Sequence, residues 1–194
     1  MLGLLTPTDP SWVQAAEADL SGMLSDHAHC ELKAAVSALS LVSRFGAEYP
    51  PLIDTLSKLA QEETAHFRAV SAALATRGAS LGRADPDEYV NALWSLSKPE
   101  RATIPVLLDR LLVNALIEAR SCERFKLLSE GLADASLREF YRELMESEAR
   151  HYRIFCGLSE ELFGVKLARA RLEELVQREA QVASKLPLGP KVHG

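Results

Sequence analysis

The chain has 194 residues, 47% hydrophobic and 25% charged, with a mean hydropathy of -0.03 and a net charge of -5. This composition excludes a wholly disordered chain, and the length fits a single domain, residues 1–194, that buries roughly 70% of its unfolded surface without disulfides. No apolar run approaches the roughly 20 residues needed to cross a bilayer. The opening Met1-Leu-Gly-Leu-Leu-Thr-Pro7 lacks the basic and apolar regions of a secretory signal.

Cys30, Cys122 and Cys156 are odd in number and contain no CxxC pair, which points to reduced thiols in a cytoplasmic protein and away from a Cys-based zinc or rubredoxin-like site. Residues 166–194 carry six Lys/Arg against three Glu, so a local +3 sits on a body of -8. A solvated helix and tail accounts for this; a basic tail on an acidic body is also suited to phosphates.

Apolar residues recur at helical spacing throughout, with no sustained alternation, so the chain reads as all-α. Asp9-Pro10 starts a short helix that ends near Ser21-Gly22. A long helix follows from about Met23 to Phe45, a turn at Gly46–Pro51, and a second long helix from Pro51 to Arg77. Residues 78–104 connect this pair to the next and contain a short helix, Asp87–Leu96, with a capped start at Asp85. Pro99 and Pro105 bracket the entry to a third long helix, Pro105–Glu130; a fourth spans Ser136–Leu162, and an amphipathic helix, Leu167–Ser184, precedes an extended tail. Two helical hairpins joined by one long crossover predict a ferritin-like four-helix bundle, with its core at about 23–162 and a C-terminal helix and tail at 165–194.

Each long helix has an inward stripe at spacings of three and four: Leu24, His27, Glu31, Ala38 and Leu41; Leu56, Leu59, Glu63, His66 and Val70; Leu111, Ala115, Glu118, Cys122 and Phe125; Tyr141, Leu144, Glu148, His151 and Phe155. Every stripe is mainly apolar, yet each holds a carboxylate halfway along. Two of these, Glu63 and Glu148, are followed one turn later by His66 and His151. Burying four carboxylates together is prohibitive unless cations neutralise them. A Glu from each of two helices plus Glu-x-x-His from each of the other two is the di-iron or di-manganese pattern, and ligand type alone does not separate the two metals. Register agrees: Glu31 and Glu63 have their midpoint at Ala47 and Glu118 and Glu148 theirs at Ala133, inside the two hairpin turns.

Neighbouring residues divide on helical geometry. Glu62 and Glu123 point away from the stripes and are not read as ligands. His27 lies one turn before Glu31, as a supporting partner, a proton relay or a core histidine, and His29 is read as surface. Arg120 and Arg150 flank the ligands and are read as pairing with ligand or neighbouring carboxylates.

The segments Asp26-His-Ala-His-Cys-Glu31-Leu-Lys-Ala-Ala35, Glu62-Glu-Thr-Ala-His-Phe67, Ala115-Leu-Ile-Glu-Ala-Arg-Ser-Cys-Glu-Arg-Phe125 and Ser147-Glu-Ala-Arg-His-Tyr152 resemble the MiaE family, the tRNA-(2-methylthio-N6-isopentenyladenosine) hydroxylases. The likeness extends over nearly the whole chain, to the His193-Gly194 end. It implies that Glu31, Glu63, His66, Glu118, Glu148 and His151 hold two irons. The implied activity is an O2-dependent di-iron monooxygenase that hydroxylates the isopentenyl group of a hypermodified adenosine next to the tRNA anticodon. A separate reductase would supply the electrons, since no Cys cluster or Gly-rich nucleotide fingerprint is present. RNA contacts would come from the basic tail after Lys166 and from Arg77, Arg83 and Lys98. The same six ligands also suit another ferritin-like di-iron oxidase, a peroxidase or an iron-handling protein, and a metal-free helical module would pair its inward carboxylates with Arg. Oligomeric state has no signal in the sequence.

Overall fold

The computed structural model describes residues 1–96, 104–187 and 189–193. The expected helix-entry residue Pro99, the candidate RNA contact Lys98 and the terminal Gly194 lie outside the described residues. Among those described, secondary structure consists of seven α-helices with no strand: α1 Trp12–Ala18, α2 Leu20–Phe45, α3 Pro51–Ala75, α4 Glu88–Leu96, α5 Val106–Gly131, α6 Ala135–Phe163 and α7 Val165–Ala183. This is the long–long–crossover–long–long order that the sequence predicts.

Two boundaries differ from expectation, both because of an aspartate cap. The Asp19 carboxylate accepts the Gly22 N–H at 2.9 Å and starts α2, so the break falls three residues before Gly22, and Gly22 sits inside the first turn. At α4 the cap is Asp87, not Asp85: its side chain accepts the Val90 N–H at 2.9 Å. At α6 the cap is Asp134, whose side chain accepts from the Ser136 and Leu137 N–H groups. Gly164 ends that helix at φ 85° and ψ 140°, a conformation that residues with a Cβ avoid, and the chain turns sharply into α7.

The structure comprises two compact units. One contains Gln14–Pro86 and Gly189–Val192. In it α2 and α3 pack as a hairpin over Leu24, Leu41, Leu52, Leu56, Leu59 and Val70, all buried. The other contains Met1–Val13, Asp87–Leu188 and His193–Gly194. There α5 packs against α4, α6 and α7 around Leu93, Leu108, Leu112, Leu116 and Leu175.

The single inward stripe read on α5 is buried, but so is most of the rest of that helix, including Asp109, Arg120, Glu123 and Arg124. Ion pairs to α7 make this tolerable. Arg171 donates Nε and Nη2 to the two oxygens of Asp109 at 2.7 and 2.9 Å. Arg120 reaches Glu179 at 2.6 Å and Glu123 at 2.5 Å, and donates to the Thr6 carbonyl at 3.0 Å. Thr8 donates its N–H and hydroxyl to Glu123, so the N-terminal segment is tied to the same cluster. Arg171→Met is expected to strand a fully buried Asp109 charge and lower stability by about 3–5 kcal/mol, measured by denaturant unfolding. A loss under 1 kcal/mol would show the pair to be incidental.

Candidate metal centre

In the α2–α3 hairpin, Glu31 and Glu63 are 4% and 1% exposed, and the side chain of His66 is 18% exposed. The three-residue spacing puts His66 beside Glu63 on one face of α3. His66 Nδ1 lies 3.4 Å from Glu63 Oε2 and 3.5 Å from Glu31 Oε2. The second oxygen of Glu31 lies 2.6 Å from His27 Nε2, one turn earlier on α2. His27 is fully buried.

In the other unit, α5 and α6 bring together Glu118, Glu148 and His151, all buried. His151 Nδ1 lies 3.9 Å from Glu118 Oε2, and its Nε2 is 3.5 Å from the Ser147 hydroxyl. Ser147 accepts a hydrogen bond from Arg150 at 3.0 Å. Ser147 is a contact that the carboxylate pattern does not mark; a Ser four residues before an inward His on a helix is the signal for it. Within each trio, one donor atom per residue lies within 4.8 Å of the others. Each trio thus has two carboxylates and one imidazole, a donor set that fits a divalent first-row ion, and in each the negative charge exceeds what one imidazole can balance.

The flanking residues sort as follows. Glu62 is exposed. Glu123 belongs to the Arg120 cluster, as its angle from Glu118 predicts. Arg120 lies about 200° round the helix from Glu118 and spends its charge on Glu123 and Glu179, the neighbouring carboxylates rather than a ligand. His29, read as surface, donates its Nε2–H to the Gly82 carbonyl of the crossover at 2.9 Å. Cys122 packs in the core with its thiol on the Met145 carbonyl, and burial pushes its pKa up to about 11, as for a structural thiol.

Much of the basic C-terminal charge is already paired. Arg169 bonds Glu160, Arg171 bonds Asp109 and Glu174, Arg178 bonds Glu174, and Lys191 bonds Asp85. Arg77 donates to the Ala73 carbonyl. Lys166, Lys185 and Arg83 are exposed. No helix among the described residues is long and apolar enough to cross a membrane.

Two helical hairpins in this order, each with a buried carboxylate–histidine cluster, define a ferritin-like protein. Residues 2–194 match the family described as tRNA-(MS[2]IO[6]A)-hydroxylase (MiaE), and the chain belongs to that family. It is 42% identical over 172 residues to the tRNA 2-(methylsulfanyl)-N(6)-isopentenyladenosine(37) hydroxylase of Pseudomonas putida, spanning 88% of this chain and 81% of that protein. The protein of the same name from Salmonella typhimurium is 29% identical over 205 residues, spanning 80% of this chain and 74% of its own. Among solved structures, a Synechococcus protein described as having aldehyde deformylating oxygenase activity is similar, with a TM-score of 0.90 and 38% identity over 98% of this chain and 95% of that one.

The electrostatics of the α2–α3 cluster carry a pH consequence. Burial works to lower the His66 pKa, but the hydrogen bonds and charges of Glu31 and Glu63 outweigh it and raise it to about 10. Burial likewise works to raise the Glu31 pKa, and His27 and His66 overcome it, holding the carboxyl well below the usual range. At neutral pH the metal-free cluster therefore holds a protonated His66, which must lose its proton to bind a metal. Metal binding is expected to release a proton and to tighten by up to about tenfold per pH unit between roughly pH 6 and 9. Calorimetric titration of the metal in buffers of different ionisation enthalpy measures this; heats independent of the buffer would overturn it.

Proposed function

We propose that this protein is an O2-dependent di-iron monooxygenase that hydroxylates the isopentenyl group of a hypermodified adenosine beside a tRNA anticodon. The observation that carries this reading is the pair of buried Glu, Glu-x-x-His clusters in a member of the MiaE family. In it, Glu31, Glu63, His66, Glu118, Glu148 and His151 are the ligands of two ions, and the chain works as a single domain. The charges agree, because four carboxylates balance two divalent cations. Iron is the metal favoured here on the family's account, although the donor set also accepts manganese.

Bound iron would supply O2 activation for attack on an unactivated C–H bond, a reaction beyond any side chain here. One oxygen atom enters the substrate and the other leaves as water, so each turnover takes two electrons and two protons from outside. A separate reductase is the proposed electron source. The protein's part is to hold ligand geometry and exclude water: Ser147 sits against the His151 ring, and the Arg150 bond to Ser147 fixes that hydroxyl. The substrate base would be splayed from the anticodon loop, with its phosphates met by the exposed Arg83, Lys166 and Lys185 rather than by the ion-paired arginines of α7. A tRNA substrate places the enzyme in the cytoplasm.

A second reading, oxygenation of an aldehyde, is favoured by the 38% identity to the Synechococcus protein and would use the same ligands. The deciding experiment loads the purified protein with ferrous iron and supplies reductant, O2 and tRNA carrying the methylthio-isopentenyl nucleoside; the nucleosides are then digested and weighed. The expected result is about two irons per chain and a nucleoside heavier by one oxygen. Unchanged tRNA with consumption of an aldehyde would favour the second reading. Glu118→Ala is expected to lose iron and product, whereas Glu123→Gln keeps both irons; equal loss from the two would sink the ligand assignment.

A further inference from the structure

The two hairpins repeat one pattern, a lone Glu on one helix and Glu-x-x-His on the next. One turn before the lone Glu, however, they differ: α2 has His27 and α5 has Asn114. His27 Nε2 lies 2.6 Å from Glu31 Oε1, the length of a charge-assisted bond, and both side chains are buried. Asn114 instead donates its amide to the Arg110 carbonyl at 2.9 Å. Among the described residues no such short bond engages Glu118; His151 Nδ1 lies 3.9 Å from its Oε2. The oxygens of Glu31 are thus divided in role: Oε1 belongs to His27, and Oε2 faces His66 on α3 at 3.5 Å.

We propose that His27 is a positioning residue that restricts Glu31 to binding a metal through Oε2 alone, while Glu118 stays free to use both oxygens. The two metal positions are then inequivalent, and the one beside Glu31 keeps a coordination place for the small-molecule co-substrate. This rests on the two-metal reading above. The physical cause is simple. A carboxylate oxygen engaged by a short N–H bond is turned toward its donor and is less available to a cation on the other side. At the lone glutamates the asymmetry comes from His27, because the ligand types themselves match between the hairpins.

The test compares wild type with His27→Leu, which fills the space without a donor, and His27→Gln, whose amide N–H can reach Oε1. Each protein is loaded with iron-57 alone and read by stepwise affinity and Mössbauer spectroscopy, with the unfolding temperature of the metal-free form as control. In His27→Leu one iron is expected to bind roughly tenfold or more weaker and its quadrupole doublet to shift, the other iron being unaffected. His27→Gln is expected to restore both readings. Unchanged spectra in His27→Leu, equal weakening of both irons, or failure of His27→Gln to restore a folded protein's doublet would overturn the proposal. Wild type binding fewer than two irons would instead bring down the two-metal reading on which it depends.

Discussion

Four glutamates, Glu31, Glu63, Glu118 and Glu148, lie between 1% and 4% exposed on helices that are otherwise apolar at those heights. An unpaired buried carboxylate costs several kcal/mol, so such a helix face is stable only with compensating charge nearby. In the α2–α3 cluster the compensation begins inside the protein, where His27 and His66 approach Glu31 and keep its pKa depressed. It is incomplete, since two carboxylates accompany each Glu-x-x-His imidazole. In such an arrangement a bound cation would contribute directly to folding stability.

A second electrostatic layer lies behind the α5–α6 cluster. Asp109 with Arg171, and Glu179 with Arg120, join α5 to α7 through bonds of 2.6 to 2.9 Å, and Arg120 and Glu123 bond Thr6 and Thr8 of the N-terminal segment at 2.8 to 3.1 Å. These groups occupy the face of α5 opposite Glu118. A helix held on both faces has little freedom to rotate or slide, and the Glu118 it carries inherits that rigidity. Tyr89 adds its hydroxyl to Glu179 at 2.9 Å, so α4 is drawn into the same cluster. The C-terminal tail joins it as well: His193 bonds Asp87 and Ser121 and stacks on Tyr89.

These ion pairs also bear on RNA recognition. The positive charge of the C-terminal region looks like a phosphate-binding tail when counted along the chain, but four of its six cations are committed to acids in the fold. A cation already neutralised by a buried or adjacent carboxylate releases little counterion on meeting a phosphate and adds little to affinity. Recognition of a tRNA by this surface would therefore depend on few lysines and on shape.

The helical order, the hairpin register and the Glu/Glu-x-x-His pattern were legible in the sequence, because helical periodicity and three-residue ligand spacing are local properties of the chain. The start of α2 was missed because Ser21-Gly22 resembles a terminator, whereas the Asp19 side chain captures the Gly22 N–H and keeps that glycine in the helix. What only the tertiary structure decided is which polar side chains face inward on α5. Asp109, Arg120 and Glu123 carry the charges of a solvated surface, and nothing in their own spacing marks them as buried. Their burial follows from α7 packing across the back of the helix with Arg171 and Glu179, residues some 60 positions later, placed at matching heights. Likewise, the sequence put His27 one turn from Glu31, but only the fold determined that its Nε2 points at Glu31 Oε1, because rotamer and burial, not spacing, set the direction of a side chain.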